Sequence, residues 1–265
     1  GHMRNRCVGR AGGGRGRGGG GGGVSATFPG DMGTHVAKCL WYLKFHNQEP
    51  EPENQKGEWL GKMYSAANNK LSDEEGTEKQ AVNEAQLTEI LTALEGKTGD
   101  YWDLWKKTRE WSIQLMKDAY AWAGVNFDKW YWESEVDSES LKYAKELLQL
   151  GKLEESQGAV GLDLSEQKLG FAMLIKSDGN GLYLTKDIEL AKRKFQDFKI
   201  EKNIYVVDQR QALHFKQVFT LLKHIGFGQA DQCYHLQYNY VELPDGAMSS
   251  RKGNIVPIMK LVESM

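Results

Sequence analysis

Near the C-terminal end of the sequence, residues 245–254 read DGAMSSRKGN and combine two glycines, two serines and two adjacent cations. Glycine lets backbone N–H groups approach a ligand, while Ser249, Ser250, Arg251 and Lys252 add hydroxyl and cationic donors that suit a polyphosphate. The GxxxxGK[ST] spacing of a Walker A loop is absent. An exposed polar turn has the same composition, so the loop alone leaves two interpretations open.

A second candidate site lies at the short β-type run GLYLT, residues 181–185. Tyr183 is predicted to end this strand, Thr185 to cap the next helix, and Asp187 to lie in the first turn of that helix. Ligands of open α/β sheets bind beyond the carboxyl ends of strands. Taken alone, Asp187 is better explained as a carboxylate that complements the helix dipole, worth up to about 1 kcal/mol.

A third group of polar residues follows the run IYVV, residues 204–207, which predicts a buried strand. Asp208 is placed to cap a helix that continues to about Ile225. Gln211 and His214 are three residues apart, so they share one face of the first turns of that helix. A solvated first turn explains the same residues equally well.

Taken together, Tyr183, Asp187 and Gln211 form a chemically sensible set for a guanidinium, which offers five N–H donors in a rigid plane. Asp187 could accept two of these donors as a fork, Gln211 could accept another, and Tyr183 could stack or hydrogen-bond. A lysine ligand would leave such a planar site partly unpaired, at a cost of about 1–3 kcal/mol for a buried polar group. The sequence does not establish that the three side chains converge.

The elements that position these residues are predicted from the periodicity of apolar side chains. Four segments have helical spacing and four later runs are strand-like: 34–46, 78–96, 100–123 and 138–150, then 171–176, 181–185, 204–207 and 234–243. Residues 50–58 read as a polar connection. Strands and helices that alternate in the second half predict an α/β fold with a parallel sheet, preceded by an inserted, mainly helical segment at about 60–150.

Bulk composition excludes several classes of protein. The chain has 265 residues, 40% of them hydrophobic, and a formal net charge of −2, so global basicity does not favour a nucleic-acid binder. Cys7, Cys39 and Cys233 have no CxxC or Cys/His spacing, so we expect neither disulfides nor a resident metal, and a reducing cytosolic environment. No apolar run approaches the roughly 18 residues of a membrane span. We therefore expect a cytoplasmic protein without a membrane partner.

The N-terminal segment differs in composition from the rest of the chain. Residues 4–23 are mostly glycine and arginine, and Gly1-His2-Met3 reads as a cloning scar. We predict that residues 1–27 form a disordered tail and that the globular domain spans 28–265. A linker or a misassigned start region is the favoured explanation of the tail, and an RGG-like segment that contacts RNA is the alternative.

The polar loop at residues 245–254 resembles the KMSKS signature of class I aminoacyl-tRNA synthetases in its arginyl form, G-x-M-S-[ST]-R-x-G-N. Ala247 stands where the generic motif has its first lysine, and Arg251 replaces the second. Four further segments resemble the arginyl-tRNA synthetase family in the same order: GDMGTH (30–35), FDKWYWES (127–134), SDGNGLYLTKDIELA (177–191) and IYVVDQRQALHFKQVF (204–219). The resemblance implies a partial Rossmann-like class I catalytic domain with an inserted helical segment.

The resemblance also implies a role for each candidate residue. Tyr183, Asp187 and Gln211 match the family's pocket for the arginine side chain. The residues that match the ATP site are His214, His235, Met248 and Ser249, and those that match the catalytic part of the loop are Ser250, Arg251 and Lys252. In the family, the L-arginine carboxylate attacks the α-phosphate of ATP, which carries Mg²⁺, to give arginyl-adenylate and pyrophosphate. Arginine then passes to the 3′ end of tRNA(Arg).

Two parts of the family pattern are expected to be missing. The H-x-G-H signature should precede GDxGT by a few tens of residues, and the closest string to it is Cys7-Val8-Gly9-Arg10. The anticodon-binding domain is also absent from the sequence. The expectation is an arginine–tRNA ligase-type protein, weak or inactive unless a complementing chain supplies the missing half. The alternatives are a non-catalytic synthetase fragment and an RNA-binding module that uses the Arg/Gly tail.

Overall fold

A computed structural model describes residues 23–239, together with the backbone of residues 6–10. These residues divide into two compact units. The helical unit comprises Asp31–Asn126. The sheet unit comprises the described residues up to Gly30 and those from Phe127 onward. The polar loop at residues 245–254 lies outside the described part of the chain, and so do Met248, Ser249, Ser250, Arg251 and Lys252.

The helical unit contains four helices, α1 (Thr34–Phe45), α2 (Lys56–Asp73), α3 (Lys79–Gly96) and α4 (Gly99–Trp122). Helices α1, α3 and α4 confirm the helical segments predicted from apolar spacing. Helix α2 begins inside the segment predicted as a polar connection, because Trp59, Leu60, Met63 and Ala67 recur at helical spacing and are buried. The core of the unit joins buried residues of all four helices: Ala37, Leu40, Trp41, Ala67, Ile90, Leu94 and Trp105.

The GDMGTH segment is tied to α4 through Asp31 in the helical unit. The backbone carbonyl of Asp31 accepts a hydrogen bond from the Trp105 indole at 2.7 Å, and its carboxylate accepts one from Arg109 Nε, also at 2.7 Å. Met32, at the position where the family pattern has tryptophan, packs against the core of this unit. These contacts give the segment a structural role at the start of α1.

The sheet unit contains eight strands and three helices. The strands are β1 (Arg6–Arg10), β2 (Val24–Thr27), β3 (Lys129–Trp130), β4 (Glu154–Ser156), β5 (Ala159–Asp163), β6 (Phe171–Ile175), β7 (Lys202–Asp208) and β8 (Cys233–Tyr238). The helices are α5 (Glu133–Gln149), α6 (Tyr183–Asp197) and α7 (Ala212–His224). A five-stranded sheet has the order β3-β2-β1-β7-β8, and β4, β5 and β6 form a separate antiparallel sheet.

The predicted parallel pairing is correct for part of the larger sheet. Strands β7 and β8 are parallel, with α7 as the crossover, and β2 and β3 are also parallel. Strand β1 is antiparallel to both of its neighbours, β2 and β7. A parallel pair needs a crossover that is usually helical, and the glycine-rich sequence between β1 and β2 has very low helix propensity.

The prediction of a disordered tail over residues 1–27 was wrong for β1 and β2. Strand β1 pairs with two neighbours through its backbone N–H and C=O groups, which need no apolar side chains. The prediction weighed side-chain composition alone and so missed this pairing. The remaining residues of the segment lie outside the described part of the chain, and their order stays a prediction.

The strand predicted at 181–185 is absent, which changes the setting of Tyr183. Gly181 forms a single bridge with Ile175, and α6 then begins at Tyr183. Thr185 is therefore the third residue of the helix rather than its cap, and its hydroxyl donates to the backbone carbonyl of Leu174. The physical reason is the helical spacing of the buried apolar residues Leu184, Ile188 and Ala191.

Helix α5 belongs to the sheet unit, so the helical segment is shorter than the predicted span of 60–150. Val136, Ala144 and Leu147 of α5 are buried among residues of the sheet unit. The helix ends as predicted just before Gly151, whose φ of +66° favours glycine. Among the helices that the structure describes, none combines the length and apolar character of a membrane span.

Candidate functional site

Helices α6 and α7 bring predicted site residues from two separate motifs together. Tyr183 and Asp187 are four residues apart on α6 and face the same side. Gln211 and His214 are three residues apart at the start of α7. The two pairs are joined by a contact of 2.6 Å between His214 Nε2 and Asp187 Oδ2.

Asp187 is the most deeply buried of these residues. The residue is 4% exposed, whereas Tyr183 at the first turn of the same helix is 44% exposed. One carboxylate oxygen meets His214, and the other, Oδ1, is buried without a hydrogen-bond partner among the described residues. A buried carboxylate oxygen without a donor is energetically costly, so the site is suited to receive a donor from a ligand.

Gln211 lies at the N-cap of α7 and is half-buried. It ends a single 3₁₀ turn, Gln209–Gln211, that precedes the α-helix. Asp208 caps this turn, because its carboxylate accepts a hydrogen bond from the backbone N–H of Arg210 at 2.9 Å. The Arg210 guanidinium also donates to that carboxylate, and these contacts hold the pKa of Asp208 below its usual range. The predicted cap is thus confirmed, on a 3₁₀ turn.

His235 lies on β8, where it is paired with Tyr205 of the neighbouring strand β7. Its Nε2 is 3.0 Å from the backbone carbonyl of Val207, and its ring packs against Phe215 with 4.6 Å between ring centroids. Burial lowers the pKa of His235, and the Val207 carbonyl and the Asp208 charge offset this only in part. A neutral ring that donates from Nε2 has its lone pair on Nδ1, which is buried without a partner among the described residues.

A buried ion pair beside Asp187 was not predicted from the sequence. Lys186 Nζ lies 2.6 Å from a Glu133 carboxylate oxygen and 2.9 Å from Asp137 on α5. Burial alone would lower the pKa of Lys186, but the two carboxylates outweigh it and raise the pKa. The ammonium is also 5.8 Å from the centre of the Tyr183 ring. The signal was present in the motifs, since Lys186 directly precedes Asp187 and Glu133 belongs to the FDKWYWES segment.

The side chains that line the site determine which ligands it can bind. Among residues 23–239, no group of three or more His, Cys, Asp or Glu side chains is arranged to hold a metal ion. The site as described consists of one buried carboxylate, two imidazoles, an amide and a phenol. Such a set can bind a cationic, planar group with several N–H donors.

Comparison with known families and structures agrees with these features. The family described as tRNA synthetases class I (R), catalytic domain, matches residues 1–265, which includes the glycine- and arginine-rich N-terminal segment. The arginyl-tRNA synthetases of Thermus thermophilus and Plasmodium falciparum share the fold. The Thermus protein has a TM-score of 0.68 at 21% identity, and the match covers 91% of this chain and 45% of that protein. The Plasmodium protein has a TM-score of 0.66 at 20% identity, and the match covers 88% of this chain and 36% of that protein.

Curated relatives extend the comparison to closer sequences. The arginine–tRNA ligase of Bdellovibrio bacteriovorus is 66% identical over 265 residues, which is 100% of this chain and 46% of that protein. The arginine–tRNA ligase of Treponema denticola is 36% identical over 270 residues, 100% of this chain and 45% of that protein. The chain thus spans under half the length of these relatives. It belongs to the class I arginyl-tRNA synthetase catalytic-domain family.

Proposed function

We propose that this chain binds L-arginine and ATP as part of an arginine–tRNA ligase, with tRNA(Arg) as the acceptor of the activated arginine. The observation that carries the proposal is the buried carboxylate of Asp187, whose Oδ1 lacks a donor in the described residues. An arginine guanidinium would supply both the missing donor and the compensating positive charge. Tyr183 and Gln211 lie one helical turn from Asp187 and His214 and are suited to contact the same planar group.

The described contacts change how the guanidinium would bind. The residue types alone allow a fork from the guanidinium onto both oxygens of Asp187. Because His214 already contacts Oδ2, the ligand meets Oδ1, and its other N–H groups are left for Gln211 and Tyr183. A lysine ammonium could reach Oδ1, but its three donors diverge from one nitrogen and cannot serve acceptors spread around a plane, which favours arginine.

The chemical step requires positioning more than covalent work by the protein. A carboxylate oxygen of arginine attacks the α-phosphorus of ATP, the bond to the β-phosphate oxygen breaks, and pyrophosphate leaves with the electron pair. Arg251 and Lys252 are proposed to neutralise the developing pyrophosphate charge, with Ser249 and Ser250 as hydrogen-bond donors. Mg²⁺ would arrive bound to ATP. We propose the cytoplasm as the place of action, in keeping with the use of cysteine.

The match from residue 1 favours a new interpretation of the N-terminal residues. Gly1-His2 equals the last two positions of the H-x-G-H signature, and it precedes Gly30 by a few tens of residues, as that signature should. We propose this assignment in place of the cloning scar and of the Cys7-Val8-Gly9-Arg10 string. Replacing His2 by alanine should lower the rate of ATP–pyrophosphate exchange without weakening arginine binding.

Calorimetry with L-arginine tests the binding part of the proposal. Wild-type chain should bind L-arginine in preference to L-lysine and to L-citrulline, the neutral isostere that lacks the guanidinium charge. Asp187→Asn should weaken arginine binding by roughly 30-fold or more, the equivalent of about 2 kcal/mol for one partner of a buried charge pair. Glu155→Gln, at an exposed position of β4, is the matched control and should leave affinity unchanged. Equal binding of arginine and citrulline would refute the proposed pocket.

Activity requires a separate measurement. Arginine-dependent ATP–pyrophosphate exchange, with and without tRNA(Arg), reports adenylate formation. Absence of exchange under both conditions, together with intact arginine binding, would make the chain a non-catalytic fragment of the family. RNA affinity that falls steeply with salt and is lost on deletion of residues 1–23 would instead support the RNA-binding alternative.

A further inference from the structure

We propose that His214 is a positioning residue of the amino-acid pocket, which fixes the Asp187 carboxylate so that a single oxygen faces the ligand. The resemblance to the family had assigned His214 to the nucleotide. The inference rests on the proposed function and goes beyond it by adding a residue and a binding geometry to the pocket. It depends on the contact between the two side chains and on the environment of each.

The chemistry of the contact determines which group donates. An ionised carboxylate can only accept, so a 2.6 Å contact with Asp187 Oδ2 requires a proton on His214 Nε2. This is the only hydrogen bond that the Asp187 side chain makes within the described residues, and Oδ1 has none. The imidazole therefore sets the orientation of the carboxylate and occupies one of its two oxygens.

The His214 ring is itself restrained by the core of the sheet unit. It meets the neighbouring Phe215 edge-on, with 5.3 Å between ring centroids and an interplanar angle of 83°. Phe215 is fully buried and packs against Tyr205, Phe219 and His235. A donor held by a packed aromatic cluster gives Asp187 a fixed orientation before any ligand arrives, which lowers the entropy cost of binding.

This geometry has consequences for selectivity. A guanidinium that reaches Oδ1 through one N–H keeps its other donors for Gln211 and for the exposed ring of Tyr183. If Asp187 were free to rotate, it could take two of the five N–H groups as a fork, and only three would remain for Gln211 and Tyr183. His214 thus distributes the guanidinium donors over three residues, and a ligand with fewer donors satisfies fewer of them.

Two variants of His214 distinguish the effect of its hydrogen-bond donor from the effect of its side-chain volume. His214→Gln keeps an N–H donor that can reach Oδ2, whereas His214→Leu keeps the volume and removes the donor. Calorimetry with L-arginine, and separately with ATP and Mg²⁺, should show arginine binding weakened roughly 10- to 100-fold in His214→Leu, the range expected when a buried acceptor loses its donor. His214→Gln should restore arginine affinity to within about 3-fold of wild type, a small difference on the free-energy scale. ATP affinity should change in neither variant.

Other outcomes would overturn the inference. Arginine binding in His214→Leu as tight as in wild type would show that the imidazole does not position Asp187. Weakened ATP binding with unchanged arginine binding would return His214 to the nucleotide site. If His214→Gln is as weak as His214→Leu, donation from this position is not its role.

Failure of the proposed function can be recognised independently. A wild-type chain that binds no L-arginine refutes the proposed function whatever the variants do. The melting temperatures of His214→Leu, Asp187→Leu and the double variant then test whether the His214 and Asp187 side chains interact. Non-additive shifts, with the double variant less destabilised than the two single shifts predict together, support the pairing, and additive shifts refute it.

Discussion

Replacing Lys186 by methionine removes the ammonium that Glu133 and Asp137 share. The Glu133 side chain is 6% exposed and that of Lys186 is 12% exposed, so this pair is buried, whereas the Asp137 side chain is 49% exposed. Breaking a buried ion pair by removing one partner costs about 3–5 kcal/mol, and an exposed pair contributes about 0–1 kcal/mol. We expect Lys186→Met to lower the free energy of unfolding of the sheet unit by about 3–5 kcal/mol, nearly all of it through Glu133.

Urea denaturation followed by circular dichroism measures this change, with unchanged m-values as the sign that the unfolded state is unaltered. The double variant Lys186→Met/Glu133→Gln removes both charges and should be more stable than Lys186→Met alone, because the buried charge that causes the penalty is gone. Lys176→Met is the matched control. Its partner Asp178 and Lys176 itself are half exposed, so the loss should stay below about 1 kcal/mol.

The pH dependence of the same variant provides a second test. Because the folded-state pKa of Lys186 is raised above 10.5, its contribution to stability is complete below pH 10.5 and is lost as the pH rises through the folded-state pKa. The stability difference between wild type and Lys186→Met should therefore shrink above pH 10.5. A loss below 1 kcal/mol at neutral pH, or a double variant no more stable than the single one, would refute the buried-pair argument.

Two further predictions concern the helical unit. Hydrogen bonds from Asn83 and then from two lysines lower the pKa of Glu74 to about 2, so its contribution to stability is present above pH 4.5 and is lost as the pH falls toward 2. In Glu74→Gln, the free energy of unfolding, measured by urea denaturation at a series of pH values, should fall less steeply toward pH 2 than in wild type. An unchanged pH profile would contradict the lowered pKa of Glu74. A Cβ on Gly57 would lie 2.6 Å from Leu115 Cβ, so Gly57→Ala should destabilise the unit by about 1–3 kcal/mol despite its better helix propensity. At Gly61, where a Cβ meets nothing within 4 Å, the same substitution should stabilise by up to about 1 kcal/mol, and equal effects at both sites would exclude the close approach.

The sequence predicts those elements whose side chains carry a clear period. Helix α4 has apolar residues at three- and four-residue steps along its length, and the predicted bounds of α3 and α4 agree with the structure to within a residue or so. The run GLYLT is too short for its apolar pattern to distinguish a strand from a helix. Leu182 and Leu184 alternate as in a strand, yet Leu184 also forms a helical stripe with Ile188 and Ala191. Burial of that stripe decides in favour of the helix.

Strand β1 shows a different limit of sequence reasoning. Its place between β2 and β7 depends on backbone hydrogen bonds to both neighbours, and such bonds leave no pattern in side-chain types. Composition predicts that the surrounding glycine-rich sequence cannot supply a core. It gives no information on whether five residues within that sequence pair with a sheet edge, because the edge belongs to other parts of the chain.

In the candidate site, the residue types can be read from the sequence, whereas the contacts between the residues cannot. The side chains of Tyr183, Asp187 and Gln211 are enough to suggest a guanidinium ligand, since they combine a carboxylate with further hydrogen-bond acceptors. The contacts of Asp187 with His214 and of Lys186 with Glu133 join residues 27 and 53 positions apart. Neither pair follows from local spacing. Each depends on how α6 packs against α7 and against α5, which the sequence alone does not determine.

A comparison among buried carboxylates separates the site from the framework. Asp31, Glu74, Glu133 and Glu189 are all buried, and each accepts a hydrogen bond from a lysine or arginine of the chain at 2.6–3.2 Å. Asp187 is as deeply buried as any of them, yet its partner is an imidazole, and within the described residues it alone of the five keeps a buried oxygen without a donor. Buried charges in a framework are compensated from within the fold, because an uncompensated one costs several kcal/mol. Incomplete compensation at Asp187, whose Oδ1 lacks a donor among the described residues, is what the proposed site for an external cation requires.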